Sequence, residues 1–203
     1  ALARAILEAA EESRSPIILG VYENNAQYAG YRYIARSLAT LAEEHAPAVP
    51  VAVHLDHGGS FDSCVKAVRA GFTSVMYDGS KRPLSENIEE SSRVSALANA
   101  AGVSMEAELG HLLTGEVDPD NPNLVSVDDV RAFTGAVSVD LLAVAIGNSH
   151  GFYKGTPKLN MRRLEEVRSA TSVPLVLHGT TGLSDDQIRD CVSLGMAKVN
   201  LGT

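Results

Sequence analysis

The sequence has few cysteines and no long apolar segment. Its two cysteines, Cys64 and Cys191, each lie in a helical pattern, which indicates neither a disulfide framework nor a thiolate metal site. No apolar run reaches the ~18 residues that a membrane-spanning helix needs. The first residues are amphipathic and charged, unlike a signal peptide. We therefore expect a cytoplasmic protein that has no membrane partner.

The chain also lacks an excess of positive charge. Its 203 residues include 17 Lys and Arg against 25 Asp and Glu, which gives a net charge of −8 at pH 7. This balance argues against nucleic acid as a partner. A small anionic substrate stays open, because local basic groups decide its binding. The hydrophobic content of 45% predicts one sizeable core, in a single domain over residues 1–203.

Strand-like and helical segments alternate along the whole chain, which predicts an α/β fold with a parallel sheet. The seven predicted strands are Pro16–Val21, Val51–Leu55, Thr73–Tyr77, Val103–Glu108, Val139–Ile146, Val173–Leu177 and Ala197–Leu201. A (β/α)₈ TIM barrel usually needs ~250 residues, so we expect such a barrel without its first strand and C-terminal region. An open doubly wound sheet is the alternative. No G-x-G-x-x-G follows an early strand, which counts against its dinucleotide-binding form.

Three further segments carry specific expectations. A loop is predicted at Tyr22–Asn25, followed by one helix from about Ala26 to His45. Ser184 is expected to cap the helix that follows it. The segment Gly110–Asn123 is longer than most connections, which favours a functional lid over a plain surface loop.

Three apolar runs end at a histidine that is followed by glycine: His57, His150 and His178. A single buried histidine is usually a core residue, but the repetition favours ligands. Three imidazoles at strand ends suit a zinc-like ion with an open fourth position. Asp78 and Glu108, also at strand ends, are candidate oxygen ligands or partners of the ligands; solvated carboxylates are the simpler reading.

Other groups near these strand ends suit acid–base and phosphate chemistry. Asp56 directly precedes His57 and is a candidate general acid, or a residue that orients this imidazole. The segments His178–Gly182 and Asn200–Thr203 follow the last two strands, where (β/α) barrels commonly hold phosphate through backbone N–H groups. Lys154 could add a positive charge, although an exposed loop lysine is the simpler reading.

Taken together, these segments resemble the class II, metal-dependent fructose-bisphosphate aldolases. The resemblance runs in order through Val51–Ser60, Ala70–Asp78, Val103–Gly110, Ala143–Leu159, Pro174–Gly182 and Lys198–Thr203. It implies a (β/α)₈ barrel that cleaves a ketose 1,6-bisphosphate by zinc-stabilised enediolate chemistry. The products would be dihydroxyacetone phosphate and glyceraldehyde 3-phosphate.

The resemblance also implies a role for each candidate residue. Zinc would take the positions of His57, His150 and His178, and a second, movable divalent or monovalent cation those of Asp78 and Glu108. Asp56 would be the proton donor, and Glu116, on the long loop, the base. Contacts to the phosphorylated substrate would come from Gly151, Lys154, Gly179, Thr180, Thr181, Asn200 and Thr203. A homo-oligomer, dimeric or tetrameric, is expected.

Other functions stay open beside fructose 1,6-bisphosphate cleavage. Tyr22 stands where the family usually has serine, which keeps tagatose 1,6-bisphosphate or another phosphorylated keto sugar as an alternative substrate. A catalytically silent phosphosugar-binding protein is a third reading. A Schiff-base mechanism needs a desolvated lysine inside the barrel, and only Lys198 lies in a predicted strand, near its start.

Overall fold

Strands and helices alternate along the chain in a computed structural model that describes residues 1–110, 124–151 and 157–202. The strands are β1 (Ile17–Tyr22), β2 (Val51–Gly58), β3 (Ser74–Tyr77), β4 (Ser104–Leu109), β5 (Leu141–Val144), β6 (Leu175–Leu177) and β7 (Met196–Val199). The helices are α1 (Leu2–Ser13), α2 (Glu23–Ala29), α3 (Tyr31–His45), α4 (Phe61–Ala70), α5 (Leu84–Ala101), α6 (Val127–Ala136), α7 (Met161–Ala170) and α8 (Asp185–Ser193). The predicted α/β class and all seven predicted strands are confirmed.

The chain divides into two compact units. The first comprises Ala1–Asp78 and Ala96–Met105. Strands β1, β2 and β3 pair there in chain order, and both pairings are parallel. Helix α1 packs against strand β1 through its apolar side. The buried residues of this contact are Leu7, Leu19 and Ala46. Tyr22, the last residue of β1, lies opposite Asp56 on β2.

The second unit comprises Gly79–Ser95 and Glu106–Thr203. From Glu106 onward, β4 pairs with β5, β5 with β6 and β6 with β7, all in parallel. Nearly all side chains of β5 and β6 are fully buried, as in strands covered on both faces. Parallel pairing brings the carboxyl ends of these strands to one edge of the sheet. Proteins with parallel sheets place their catalytic and binding sites at this edge.

The predicted loop Tyr22–Asn25 and the single helix after it are wrong. Helix α2 begins at Glu23, and Gly30 separates it from α3 with φ = 94° and ψ = 121°. Glu23 is held by tertiary contacts, since its carboxylate accepts from the Gly59 amide (2.8 Å) and from the Gln27 side chain (2.8 Å). Those contacts stabilise a first helical turn that local propensity did not indicate.

The cap predicted at Ser184 is confirmed. Its hydroxyl oxygen accepts from the Gln187 amide (3.2 Å), and the Gln187 side chain accepts from the Ser184 amide (3.0 Å). This reciprocal pair is a capping box, which satisfies two amides at the start of α8.

Among the described residues, no helix combines the length and apolar character needed to cross a bilayer. The barrel lacking a strand and the single-domain organisation stay predictions.

Both cysteines are buried free thiols, and we expect neither to react in the folded protein. Burial raises the pKa of the Cys64 thiol to about 12, and the nearby Glu23 carboxylate adds to the rise. Burial, with a smaller contribution from Asp190, raises the pKa of Cys191 to about 11. Because the thiolate is the reactive form, Ellman's reagent at pH 8 should label neither thiol before unfolding and both after it. Rapid labelling of the native protein would contradict this.

Candidate functional site

Strand β2 carries a β-bulge at the predicted site. Leu55 pairs with Val75 and Gly58 pairs with Tyr77, so β2 advances three residues while β3 advances two. Within this bulge His57 has φ = 53°, a left-handed conformation that is uncommon for a residue other than glycine. Bulges of this kind redirect side chains and occur beside active sites. The local backbone thus sets the direction of the His57 imidazole.

The first unit places Asp56 and His57 on β2 and Asp78 directly after β3, where Asp78 contacts His57. His57 Nδ1 lies 2.9 Å from an oxygen of the Asp78 carboxylate, and the Asp78 amide donates to the Gly58 carbonyl at 2.9 Å. Asp56 is half-buried at the end of β2. The ring of Tyr22 meets the His57 ring edge-on, with 6.0 Å between centroids. Asp78 therefore contacts a predicted zinc ligand directly, which is how carboxylates orient metal-binding imidazoles.

The second unit brings Glu108, His150 and His178 together. Each offers a ligand atom, and these atoms lie within 4.8 Å of one another. The rings of His150 and His178 are nearly perpendicular, with centroids 6.0 Å apart. Two imidazoles with one carboxylate are a ligand set that catalytic zinc sites use. The donors present in this unit therefore fit a zinc-class ion.

Two buried asparagines hold these donors in place. The Asn87 side chain donates to the backbone carbonyl of Glu108 at 3.0 Å. The Asn148 side chain accepts from the Ile146 amide (2.8 Å) and donates to the His178 carbonyl (2.9 Å). Each amide side chain replaces backbone pairing that the strands cannot supply at their ends. Asn148 thereby ties the segment before His150 to His178.

Glu106 and Lys198 form a buried ion pair next to His178. The sequence did not predict this ion pair. One oxygen of the Glu106 carboxylate lies 2.7 Å from His178 Nε2, and the other accepts from Lys198 Nζ at 2.6 Å. Glu106 is 0% exposed and His178 is 1% exposed. The only signal in the sequence was the alternation of two acids, Glu106 and Glu108, along an otherwise apolar strand. Lys198 in an ion pair is also a poor nucleophile, which argues against Schiff-base chemistry.

The predicted phosphate loops meet after β6 and β7. The Thr180 hydroxyl donates to the backbone carbonyl of Asn200 at 2.6 Å. The backbone amide of Asn200 donates to the Leu177 carbonyl at 2.9 Å. Gly179 has φ = 66° and lies against the backbone of Ser149. Thr181 is half-buried and Gly151 is exposed at the end of its described segment. Glu116, Lys154 and Thr203 lie outside the described residues.

Comparisons with known proteins concern the chain as a whole. The family model described as fructose-bisphosphate aldolase class-II matches residues 1–203. The chain is 45% identical to a fructose-bisphosphate aldolase of Geobacillus stearothermophilus and 42% identical to one of Staphylococcus epidermidis. Each match covers 98% of this chain and 71% of the relative.

Solved structures give the same answer for the fold. The YdjI aldolase from Escherichia coli K12 superposes with a TM-score of 0.87 and 34% identity, over 98% of this chain and 71% of that one. The fructose-bisphosphate aldolase from Campylobacter jejuni superposes with a TM-score of 0.78 and 28% identity, over 97% and 67%. The chain belongs to the class II fructose-bisphosphate aldolase family.

Proposed function

We propose that this protein reversibly cleaves fructose 1,6-bisphosphate into dihydroxyacetone phosphate and glyceraldehyde 3-phosphate. Its family consists of zinc-dependent lyases, and the observation that carries the proposal is the group formed by Glu108, His150 and His178. Imidazoles and carboxylates at strand ends are the donors that zinc and a second cation use. A cytoplasmic location and a homo-oligomer remain part of the proposal.

The proposed zinc ligands are His57, His150 and His178. Asp78 and Glu108 are proposed for a second cation position, and the Asp78–His57 contact of 2.9 Å also supports an orienting role for Asp78. When bound, zinc acts as a Lewis acid that polarises the substrate carbonyl and stabilises negative charge developing on oxygen. The left-handed backbone at His57 supports a functional role for this residue, because strained conformations concentrate at such sites.

Asp56 is the proposed general acid for the aldehyde oxygen. Asp56 is half-buried on a paired strand, within the bulge, and a fixed position suits a group that must reach one substrate oxygen within hydrogen-bond distance. Glu116 is the proposed base, which removes the proton next to the carbonyl in the addition direction. The sequence predicts Glu116 in a functional lid, and closure of such a lid would exclude water from the site.

The substrate phosphate is proposed to bind at the ends of β6 and β7, through backbone and hydroxyl groups. The residues proposed for this site are Gly151, Lys154, Gly179, Thr180, Thr181, Asn200 and Thr203. The hydrogen bond that joins Thr180 to Asn200 supports one continuous site there. Glycine at such positions lets an anion approach backbone amides closely.

One observation favours a second candidate substrate. Tyr22 is 47% exposed at the end of β1 and its ring edge meets the ring of His57. A large side chain beside a ligand-bearing strand end narrows or reshapes the space for the sugar. Tagatose 1,6-bisphosphate and other phosphorylated keto sugars therefore belong in the same assay.

A metal-dependence assay on the purified protein tests the proposal. We expect aldol cleavage of fructose 1,6-bisphosphate to stop when a chelator removes zinc and to return when zinc is added. His150→Ala should lose bound zinc and at least about 100-fold of the cleavage rate, because a Lewis acid contributes several kcal/mol. His45→Ala is the matched control, since His45 ends α3 and contacts Glu8.

The outcomes separate the candidates. Faster cleavage of tagatose 1,6-bisphosphate would transfer the proposal to that substrate. Zinc and sugar-phosphate binding without cleavage of any substrate would indicate the catalytically silent protein. Cleavage that persists in chelator and in His150→Ala would contradict the metal-dependent mechanism.

A further inference from the structure

Lys198, Glu106 and His178 form a chain of hydrogen bonds inside the second unit. Lys198 Nζ lies 2.6 Å from one Glu106 carboxylate oxygen, and the other oxygen lies 2.7 Å from His178 Nε2. Glu106 and His178 are almost fully buried, and the Lys198 side chain is only 9% exposed. Such a network is removed from water, so its hydrogen bonds impose a definite arrangement of protons.

The carboxylate decides which nitrogen of His178 carries hydrogen. An ionised carboxylate can only accept, so the nitrogen that faces it, Nε2, must be the donor. In a neutral imidazole the lone pair then lies on Nδ1. The Lys198 ammonium supplies the opposite charge that a buried carboxylate needs, which favours the ionised form of Glu106.

Asn200 does not determine which nitrogen of His178 carries hydrogen. Its side-chain nitrogen lies 3.2 Å from Nε2 and 3.4 Å from Nδ1 of the same ring. An amide offers both a donor and an acceptor, and its two ends can exchange. It can therefore accompany either tautomer of His178, whereas the carboxylate is compatible with one.

We propose that Glu106, held by Lys198, is a positioning residue that fixes His178 in the Nε2–H tautomer and so directs the Nδ1 lone pair to the metal ion. This inference rests on the proposed function, in which His178 is a zinc ligand. The role differs from that of Glu108, whose carboxylate belongs to the donor group itself. Carboxylates that accept from metal-binding imidazoles commonly raise metal affinity in this way.

The first test needs no variant of the network. Long-range proton–nitrogen NMR spectra of the metal-free protein should show His178 with hydrogen on Nε2 and a lone pair on Nδ1. The signals are assigned by their loss in His178→Gln. Hydrogen on Nδ1 of His178 would overturn the proposal.

The second test measures zinc affinity by competition with a chromophoric chelator. Glu106→Gln should weaken zinc binding on the order of 10- to 100-fold and leave His178 in a mixture of tautomers, because the amide can also donate to Nε2. The same replacement at the exposed Glu89 on α5 is the matched control and should leave affinity at the parent value.

A double variant separates positioning from folding. Glu106→Gln alone leaves the Lys198 charge buried without its partner and could unfold the protein. Glu106→Gln with Lys198→Met removes both charges, so it should fold while keeping the weak affinity and the mixed tautomers. Lys81→Met at an exposed position is the control for the lysine change. Parent-like affinity and a single tautomer in the double variant would refute the positioning role.

The two proposals fail in different ways. A parent protein that binds no zinc contradicts the proposed function. A parent that binds zinc while Glu106→Gln binds it equally well contradicts only the role of Glu106.

Discussion

Asp56→Ala is expected to lower the rate of carbon–carbon cleavage on the order of 10²- to 10⁴-fold, the usual contribution of a positioned acid or base. Asp56 lies in the bulge of β2, between Leu55 and Gly58, and its backbone pairs with Tyr22 on β1. Both features fix where its carboxyl group can reach. Without that group, no side chain at this position can exchange a proton with the aldehyde oxygen.

A second readout shows that the defect is specific. Exchange of the dihydroxyacetone phosphate proton with solvent uses the base and not the aldehyde partner, so it should stay measurable in Asp56→Ala. Both rates are followed on one preparation, cleavage by product release and exchange by loss of label. Asp62→Ala is the control, because Asp62 is an exposed carboxylate paired with Lys66 on α4. Equal losses of cleavage and exchange would mean that Asp56 supports the site as a whole and is not the acid.

The parts of the site that lie at strand ends could be read from the sequence. An apolar run followed by histidine and glycine signals a buried strand that ends at a polar group, and this pattern located His57, His150 and His178. Parallel pairing then brings such ends to one edge within a unit. The arrangement of Glu108, His150 and His178 follows from that rule.

The parts that depend on distant pairing could not be read in the same way. Glu106 meets His178 and Lys198, which lie 72 and 92 residues further along the chain. The bulge at His57 exists only because β2 and β3 advance unequally, and neither strand alone carries a signal for it. Helix α2 was missed for the same reason, since the Gly59 amide helps to hold its first residue, Glu23. Local patterns find single elements, and they do not find the contacts that join them.

The alternation of two acids on β4 is a signal that the sequence does carry. Glu106 and Glu108 lie two residues apart and therefore point to the same face of the strand. Both are buried, and buried carboxylates are rare unless they are paired or bind a cation. Here one pairs with Lys198 and the other joins the two imidazoles, so one strand face serves two roles.

Gly179→Ala is expected to have the largest effect on stability. Gly179 has φ = 66°, and a Cβ atom there would lie 2.2 Å from the backbone oxygen of Ser149. The obstacle is backbone, so no side-chain rotation relieves it. The Ser149 peptide must move, and with it the adjacent His150. We expect the free energy of unfolding to fall by more than about 4 kcal/mol, a range reserved for severe strain or packing defects.

Two other glycines distinguish the cost of the steric contact from that of left-handed backbone strain. Gly102 has the same φ of 66° with nothing near its Cβ position, so Gly102→Ala should cost only the left-handed strain of about 1–2 kcal/mol. Gly135 lies inside α6 with open space around it, and Gly135→Ala should stabilise the protein by about 0.5–1 kcal/mol. Urea unfolding monitored by circular dichroism measures all three changes.

The comparison decides how variants at Gly179 are to be interpreted. If Gly179→Ala lowers the free energy of unfolding no more than Gly102→Ala does, Gly179 does not approach Ser149 closely in solution. The segments that carry His150 and His178 would then be packed loosely against each other. If the cost is as large as expected, a raised Michaelis constant in any Gly179 variant cannot be assigned to lost phosphate contacts, because the His150 segment has moved as well. The phosphate proposal is then better tested at Thr181, whose side chain is half-buried, with Thr181→Val.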